Sequence, residues 1–217
     1  MPDAAASRPL VVLDCDSTTI RDEVIELLAD AAGSREAVAA VTERAMRGEL
    51  DFAESLAERV ATLAGTPDAV FGDTYRRIRT SPGIRELIAE VHRRGGRVGV
   101  VSGGFHEVLD PLARDLGIDH WRANRLEVRD GQLTGTTVGP VIDAAAKADA
   151  LREWASATGI PLSATVAIGD GANDLDMMAI AGLSVAYNAK PVVRERADVS
   201  IDDDLALVIP LLDRLSA

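Results

Sequence analysis

Leu10-Val11-Val12-Leu13 is an unbroken apolar run that ends abruptly in Asp14-Cys15-Asp16-Ser17-Thr18. In extended backbone alternate side chains share a face, so Asp14 and Asp16 turn together into one pocket while Cys15 turns away. Two carboxylates in one pocket repel unless a cation, a proton or hydrogen bonds compensate them, and Mg²⁺ with a phosphate is one such arrangement. A strand end followed by an Asp/Ser turn or helix cap is the other use of the same residues.

The pattern recurs along the chain. Arg97-Val98-Gly99-Val100-Val101 runs into Ser102-Gly103-Gly104, and Ala164-Thr165-Val166-Ala167-Ile168 runs into Gly169-Asp170-Gly171-Ala172-Asn173-Asp174. Leu183-Ser184-Val185-Ala186 and Val199-Ser200-Ile201 add further strands. Amphipathic helices separate them, with stripes such as Ile84, Leu87, Ile88, Val91 and Val108, Leu109, Leu112, Leu116. This alternation predicts an α/β fold, a parallel sheet covered by helices on both faces with its ligand site beyond the carboxyl ends of the strands.

One stretch departs from the alternation. From Ile20 to about Arg79 only helical spacing is present, with Val24, Leu27, Leu28 and Ala31 as the first stripe, and segments 35–46, 51–63 and 67–79 following. A helical insertion over 19–79 is expected, with 9–18 and 80–217 as the core and 1–8 as a disordered tail. Leu126–Arg129 and Gln132–Thr134, joined by Asp130-Gly131, read as a hairpin insertion spanning about 124–136. Asp204 is placed to cap a terminal helix that Pro210 kinks.

Charge and cysteine content narrow the setting. A formal net charge of -12 argues against general binding to nucleic acid or an anionic membrane. An anionic substrate would then be held by local charge or a metal. The single Cys15 excludes an intrachain disulfide, and Met1–Arg8 lacks the apolar core of a secretion signal, so a cytoplasmic setting is expected. His92, His106 and His120 have no ligand spacing and are read as surface or packing residues, as are Trp121 and Trp154.

In a parallel sheet the three polar strand ends lie along one edge. Ser102-Gly103-Gly104, read as opening a helix, offers a hydroxyl and free backbone N–H groups to a phosphate. Asp170 and Asp174 can complete a magnesium site.

With Lys147, these pieces resemble the four motifs of the haloacid dehalogenase (HAD)-like hydrolase superfamily: Asp14-Cys15-Asp16-Ser17-Thr18, Ser102, Lys147 and Gly169–Asp174. Within it the chain is most similar to the phosphoserine phosphatase family, from about Val11 to Ile201, with Val41–Phe52 and Ala167–Asp174 as the most specific text. The resemblance implies a Rossmann-like, HAD-type sheet with a helical cap after the first strand. It implies hydrolysis of O-phospho-L-serine to L-serine and phosphate through a phosphoaspartyl intermediate, the last step of serine biosynthesis. Asp14 would be the nucleophile and Asp16 the general acid and then base. Mg²⁺ would be held by Asp14, the Asp16 carbonyl and Asp170. Ser102, Gly103, Lys147 and Asn173 would contact the phosphate or substrate, with Asp174 in support. In the cap, Glu23 would receive the substrate ammonium and Arg59 its carboxylate, while Met46 and Phe52 close over the substrate.

Two other functions stay open from the sequence. The motifs specify the chemistry and only the cap specifies serine, so another small phosphomonoester, or phosphotransfer, is an alternative. A receiver-like phospho-acceptor module that binds partners is the non-enzyme alternative, against which stand the length and the helical insertion. No nucleic-acid or membrane partner is expected, and the assembly is a monomer or a homodimer. With the nucleophile fourteen residues from the start, the regulatory domain that many relatives carry ahead of the core is expected to be missing.

Overall fold

The computed structural model of the protein describes residues 8–215 apart from the side chain of Met46. The expected tail therefore falls outside the described residues except for Arg8, and so does the expected closing role of Met46. Arg8 donates from Nε to the Gly95 carbonyl at 3.1 Å.

The chain runs β1 (Leu10–Leu13), α1 (Val24–Ala32), α2 (Arg35–Met46), α3 (Phe52–Ala61), α4 (Val70–Arg77), α5 (Ile84–Arg93), β2 (Arg97–Phe105) and α6 (His106–Leu116). It continues with β3 (His120–Arg129), β4 (Gln132–Val138), α7 (Ala144–Thr158), β5 (Thr165–Gly169), α8 (Leu175–Ile180), β6 (Leu183–Tyr187), α9 (Pro191–Arg194) and β7 (Val199–Ile201). These strands form one 7-stranded sheet in the order β4-β3-β2-β1-β5-β6-β7. Every neighbouring pair is parallel except β3 with β4.

β1 is central, and its neighbours share its register. Leu13 lies opposite Val100 on one side and Ile168 on the other, so β1, β2 and β5 deliver their following residues to one edge. Alternate side chains serve opposite faces. Val11, Leu13, Val98, Val100, Val166 and Ile168 belong to one apolar cluster. Leu10, Val12, Val101 and Ala167 belong to another, with Leu151 and Trp154 of α7. The all-apolar character of β1 is thus the mark of a strand buried on both faces.

Helices α1 to α4 fill the chain between β1 and α5, and the two ends of this segment are pinned together. Ile20 forms an isolated antiparallel bridge with Thr80, Arg21 N donates to Arg79 O at 2.9 Å, and Ser81 N donates to Thr19 O at 3.0 Å. The Asp22 carboxylate accepts from both the backbone and the guanidinium of Arg79. At its far side the segment rests on the hairpin: Gly65 N donates to Leu133 O and Leu133 N to Thr66 O, each at 2.8 Å. The hairpin turn has Asp130 at φ 52 and Gly131 at φ 74, the left-handed pair that a two-residue Asp-Gly loop supplies.

The sequence expectations meet corrections at three places. Ser102-Gly103-Gly104 does not open a helix. It stays within β2, whose pairing with β3 slips after Val101 and resumes at Phe105 opposite Asn124, and α6 begins only at His106. The helical periodicity read from Ile20 begins at Val24, because Cys15–Thr19 form a tight turn first. The terminal segment Leu205–Arg214 is a 3-10 coil containing Pro210, capped as expected by Asp204, which accepts from Ala206 N at 2.8 Å.

Gly99 of β2 lies beneath Trp154, where a Cβ would stand 2.6 Å from the indole ring. That ring cannot retreat without lifting α7 off the sheet. Gly99→Ala is expected to destabilise the fold by about 1–3 kcal/mol, the usual range for overpacking a tight core. Chemical denaturation measures this, and an unchanged midpoint would contradict the packing described.

Candidate active site

Asp14 follows β1 directly, and its backbone N donates to Ile168 O at 2.9 Å, which locks it to β5. Its Oδ1 accepts from Cys15 N at 2.7 Å and meets Lys147 Nζ at 2.7 Å. Lys147 sits in the first turn of α7, which is capped by Asp143, whose Oδ1 accepts from Ala146 N. Its side chain is 0% exposed, and Nζ also meets Asp174 Oδ1 at 2.7 Å. Asp174 in turn takes Gly171 N on Oδ2 at 3.1 Å. One buried ammonium thus joins the loop after β1 to the loop after β5.

This arrangement depends on Gly169. A Cβ there would stand 2.3 Å from the Asp174 carboxylate, so no other residue lets Asp174 fold back against the strand end. Glycine at position 169 is a steric requirement of the Lys147 clasp.

The carboxylates are short of positive charge. Burial, and next the charge of Asp174, raise the Asp14 carboxyl to about 7 even with Lys147 beside it. Burial and Asp174 likewise raise Asp170 to about 6. Burial on its own would lower the Lys147 ammonium, but Asp14 and Asp174 outweigh it and the net shift is upward. Asp16 is pushed well above the usual carboxylate range by burial, then by Glu23 and Asp14. Its Oδ2 accepts from Val24 N at 3.2 Å, while Oδ1 is buried with no hydrogen-bond partner.

A divalent cation fits this chemistry. Asp14, Asp170 and Asp174 each place a carboxylate oxygen within 4.8 Å of the others. The donors are all hard oxygens, as Mg²⁺ requires, and the excess negative charge calls for more than the single ammonium. Asp174 is already engaged on both oxygens, which leaves Asp14 and Asp170 with the freer lone pairs.

Opposite the acids lies the bulge of β2. Ser102 Oγ accepts from Gly104 N at 2.8 Å. The Gly103 carbonyl accepts from Asn124 Nδ2 at 2.8 Å, and Asn124 Oδ1 accepts from Ile142 N at 2.9 Å. Asn124 therefore ties the bulge to the chain that enters α7. Sequence reasoning missed Asn124, a buried amide on β3 that no motif marks.

A cavity of about 580 Å³ joins these parts. Asp14, Asp16, Ser102, Gly103, Asp170 and Asn173 line it from the sheet edge, and Glu23, Phe52 and Arg59 line it from α1 and α3 or their ends. The Phe52 ring lies against Gly103, where a Cβ would stand 2.9 Å from Cζ. Arg59 donates from Nε to the Ser55 carbonyl at 3.1 Å but is in no salt bridge among the described residues. Burial lowers its pKa against the opposing pull of Glu23 and Asp16. Lys147 is not among the lining residues and touches the site from behind Asp14. Thr42, Ser55 and Lys190 also line the cavity without having been singled out from the sequence. Lys190 falls in Ala186–Pro191, a stretch similar to the family but given no role from the sequence, and its backbone N is tied to Asp170 O at 3.1 Å.

Residues set aside from the sequence stay outside the cavity. His92 pairs with Asp119, His106 with Asp110, and His120 stacks on Trp154 at 5.6 Å. Burial, then Asp16 and Asp14, push the Cys15 thiol well above its ordinary pKa, so it stays protonated and inert.

Comparison with known proteins gives consistent results. The profile of the haloacid dehalogenase-like hydrolases matches residues 11–179. A phosphoserine phosphatase of Streptococcus thermophilus is 51% identical over 207 residues, 95% of this chain and 96% of that protein. A phosphoserine phosphatase of Mycobacterium tuberculosis is 54% identical over 195 residues, 90% of this chain but 48% of its own length. The chain thus spans about half of the second relative and nearly all of the first. A solved structure described as a phospho-aspartyl intermediate analogue of phosphoserine phosphatase superposes with a TM-score of 0.88 at 41% identity, covering 94% of this chain and 99% of that one.

Lys147→Met keeps the length of the side chain but leaves two buried carboxylates facing each other. In metal-free protein this is expected to lower stability by about 3–5 kcal/mol, as for breaking a buried ion pair. A denaturation midpoint equal to that of the parent would show that the ammonium does not hold the two loops together.

Proposed function

The chain belongs to the haloacid dehalogenase-like hydrolases, and on that footing we propose that it hydrolyses O-phospho-L-serine to L-serine and phosphate in the cytoplasm. The observation that carries this reading is the pairing of chemistries in one cavity. Asp14 and Asp16 line it from the sheet edge, and Glu23 and Arg59, whose guanidinium is in no salt bridge among the described residues, line it from the helical segment. A phosphomonoester with an ammonium and a carboxylate on its leaving group matches that set. The phosphoserine phosphatases named above support the same substrate.

In this mechanism residues 19–79 act as a cap over the core formed by 9–18 and 80–217, and the hairpin of about 124–136 serves as the cap's rest. Arg59 presents a planar fork to the substrate carboxylate and Glu23 accepts its ammonium. Ser102 Oγ and Gly103 N–H hold phosphate oxygens, and Asn173 contacts the phosphate or substrate from the other loop. Asp14 attacks phosphorus as Asp16 passes the proton on its carboxyl to the departing serine oxygen. A carboxyl that burial and two neighbouring acids keep protonated is suited to that task. Asp16, then ionised, takes a proton from the water that cleaves the phosphoaspartate. Lys147 offsets the charge of Asp14 while Asp174 holds Lys147 in place. Asp14, Asp170 and the Asp16 carbonyl would hold Mg²⁺, which would supply electrostatic stabilisation of the negative charge on the transferring phosphate.

Phe52, which lies against Gly103, is the side chain that would close the cavity from bulk water. A dry site favours the first transfer, and the second step requires water to be readmitted.

A substrate panel tests the reading. Phosphate release from O-phospho-L-serine is expected to require Mg²⁺, to vanish after chelation and to return on readdition. Asp14→Asn should abolish it with the fold intact. Arg59→Ala should reduce it at least tenfold while largely sparing an aryl phosphate, which has no carboxylate to bind. Equal losses on both substrates, or faster turnover of another phosphomonoester by the parent, would overturn phosphoserine as the substrate.

A further inference from the structure

Ser17 has an unusual backbone and a single prominent contact. It sits at φ 56 and ψ 4, in the left-handed region that disfavours a residue with a Cβ, between the proposed acid Asp16 and the first helix of the cap. Nothing in the tight turn of Cys15–Thr19 makes glycine unsuitable there on conformational grounds, and glycine would adopt that φ freely. The serine hydroxyl is what glycine would lack. Its Oγ donates to Glu23 Oε1 at 2.7 Å.

Glu23 needs such a partner. It is exposed, it occupies the N-cap position of α1, and its side chain makes no cap bond to the helix. A free glutamate on the surface samples many rotamers, which lowers its value as a fixed receptor for a cation. The bond from Ser17 selects one of them, while the other carboxylate oxygen stays available. Ser17 does this from outside the substrate cavity. It lines a neighbouring polar cavity of about 320 Å³ with Arg21 and Tyr187, whereas Glu23 lines the catalytic one.

A second bond runs the opposite way across the same turn. Val24 N, beside Glu23, donates to Asp16 Oδ2 at 3.2 Å. Asp16-Ser17 and Glu23-Val24 are therefore laced twice, one residue apart on each side. The loop that carries the acid and the group that reads the substrate amine are held as one unit.

We infer that Ser17 is a positioning residue that fixes the Glu23 carboxylate for the ammonium of the substrate, so that selection for an amino-acid leaving group begins in the catalytic loop as well as in the cap. The inference rests on the reading of Glu23 as the ammonium partner. It adds a determinant that acts through Glu23 and never touches the substrate.

Ser17→Gly is the variant of choice, because it removes the hydroxyl while relieving the backbone. The substrates are O-phospho-L-serine and its desamino analogue 3-phosphooxypropanoate, which keeps the carboxylate and phosphate but lacks the amine. The expected result is a fall of about tenfold in kcat/KM for phosphoserine, carried by KM, the scale of one hydrogen bond to a charged group. The analogue should be turned over as by the parent, and the melting temperature should not fall. Equal losses on both substrates, with or without a lower melting temperature, would assign Ser17 to the fold or to the chemical step and overturn the inference. An undiminished preference for phosphoserine in Ser17→Gly would overturn it while leaving the phosphoserine reading intact. If the parent protein shows no preference between the two substrates, the role of Glu23 falls, and that of Ser17 with it.

Discussion

One buried ammonium, Lys147, sets the geometry on which the site depends. It is held by Asp14 after β1 and Asp174 after β5, both at 2.7 Å and all shielded from solvent. Two loops that the sheet merely brings to the same edge become one rigid acidic floor. A buried ion pair of this kind contributes little net stability, since desolvation offsets much of the attraction, but it allows few alternative arrangements. The cluster still holds more carboxylates than ammonium charge, an imbalance that fits the divalent cation of the proposed mechanism.

The opposite side of the cavity follows from a different constraint. Helices α1 to α4 leave the core through Thr19–Asp22 and return through Arg79–Ser81, and these strands of backbone are bonded to one another. The segment thus hangs from a narrow joint and leans on the hairpin through Gly65, Thr66 and Leu133. In the proposed mechanism this segment serves as the cover that closes Phe52 onto Gly103 and releases it. The Ser17–Glu23 bond lies at that joint, where recognition and chemistry are within a few residues of each other.

Much of this was legible in the sequence because the informative residues are close to strand ends. β1 showed its burial on both faces through four consecutive apolar residues, and its end showed the paired acids. Asp170, Asn173 and Asp174 were visible in the same way after β5. The Asp130-Gly131 turn declared its left-handed geometry through residue type alone. What escaped notice depends on contacts distant in sequence. Ser102–Gly104 read as a turn into a helix, because nothing local reveals that β3 resumes pairing at Asn124 and draws the strand on to Phe105. Asn124 and Ser55 carry no motif, Thr42 and Lys190 lie in stretches that match the family without marking them individually, and the places of all four emerge only when the sheet and the helical segment meet. Lys147 was found only through its match to the family motifs, and its complete burial is a property of the folded loops alone.

The account turns on Asp14 accepting the phosphoryl group, with Lys147 holding it in place. The most direct measurement is rapid acid quenching of the enzyme during turnover of radiophosphate-labelled O-phospho-L-serine, followed by proteolysis and identification of the labelled peptide. The account predicts an acid-stable, base-labile label on the peptide that carries Asp14, formed as fast as serine is released. Serine release without any protein-bound label, or a label on a peptide that lacks Asp14, would contradict it.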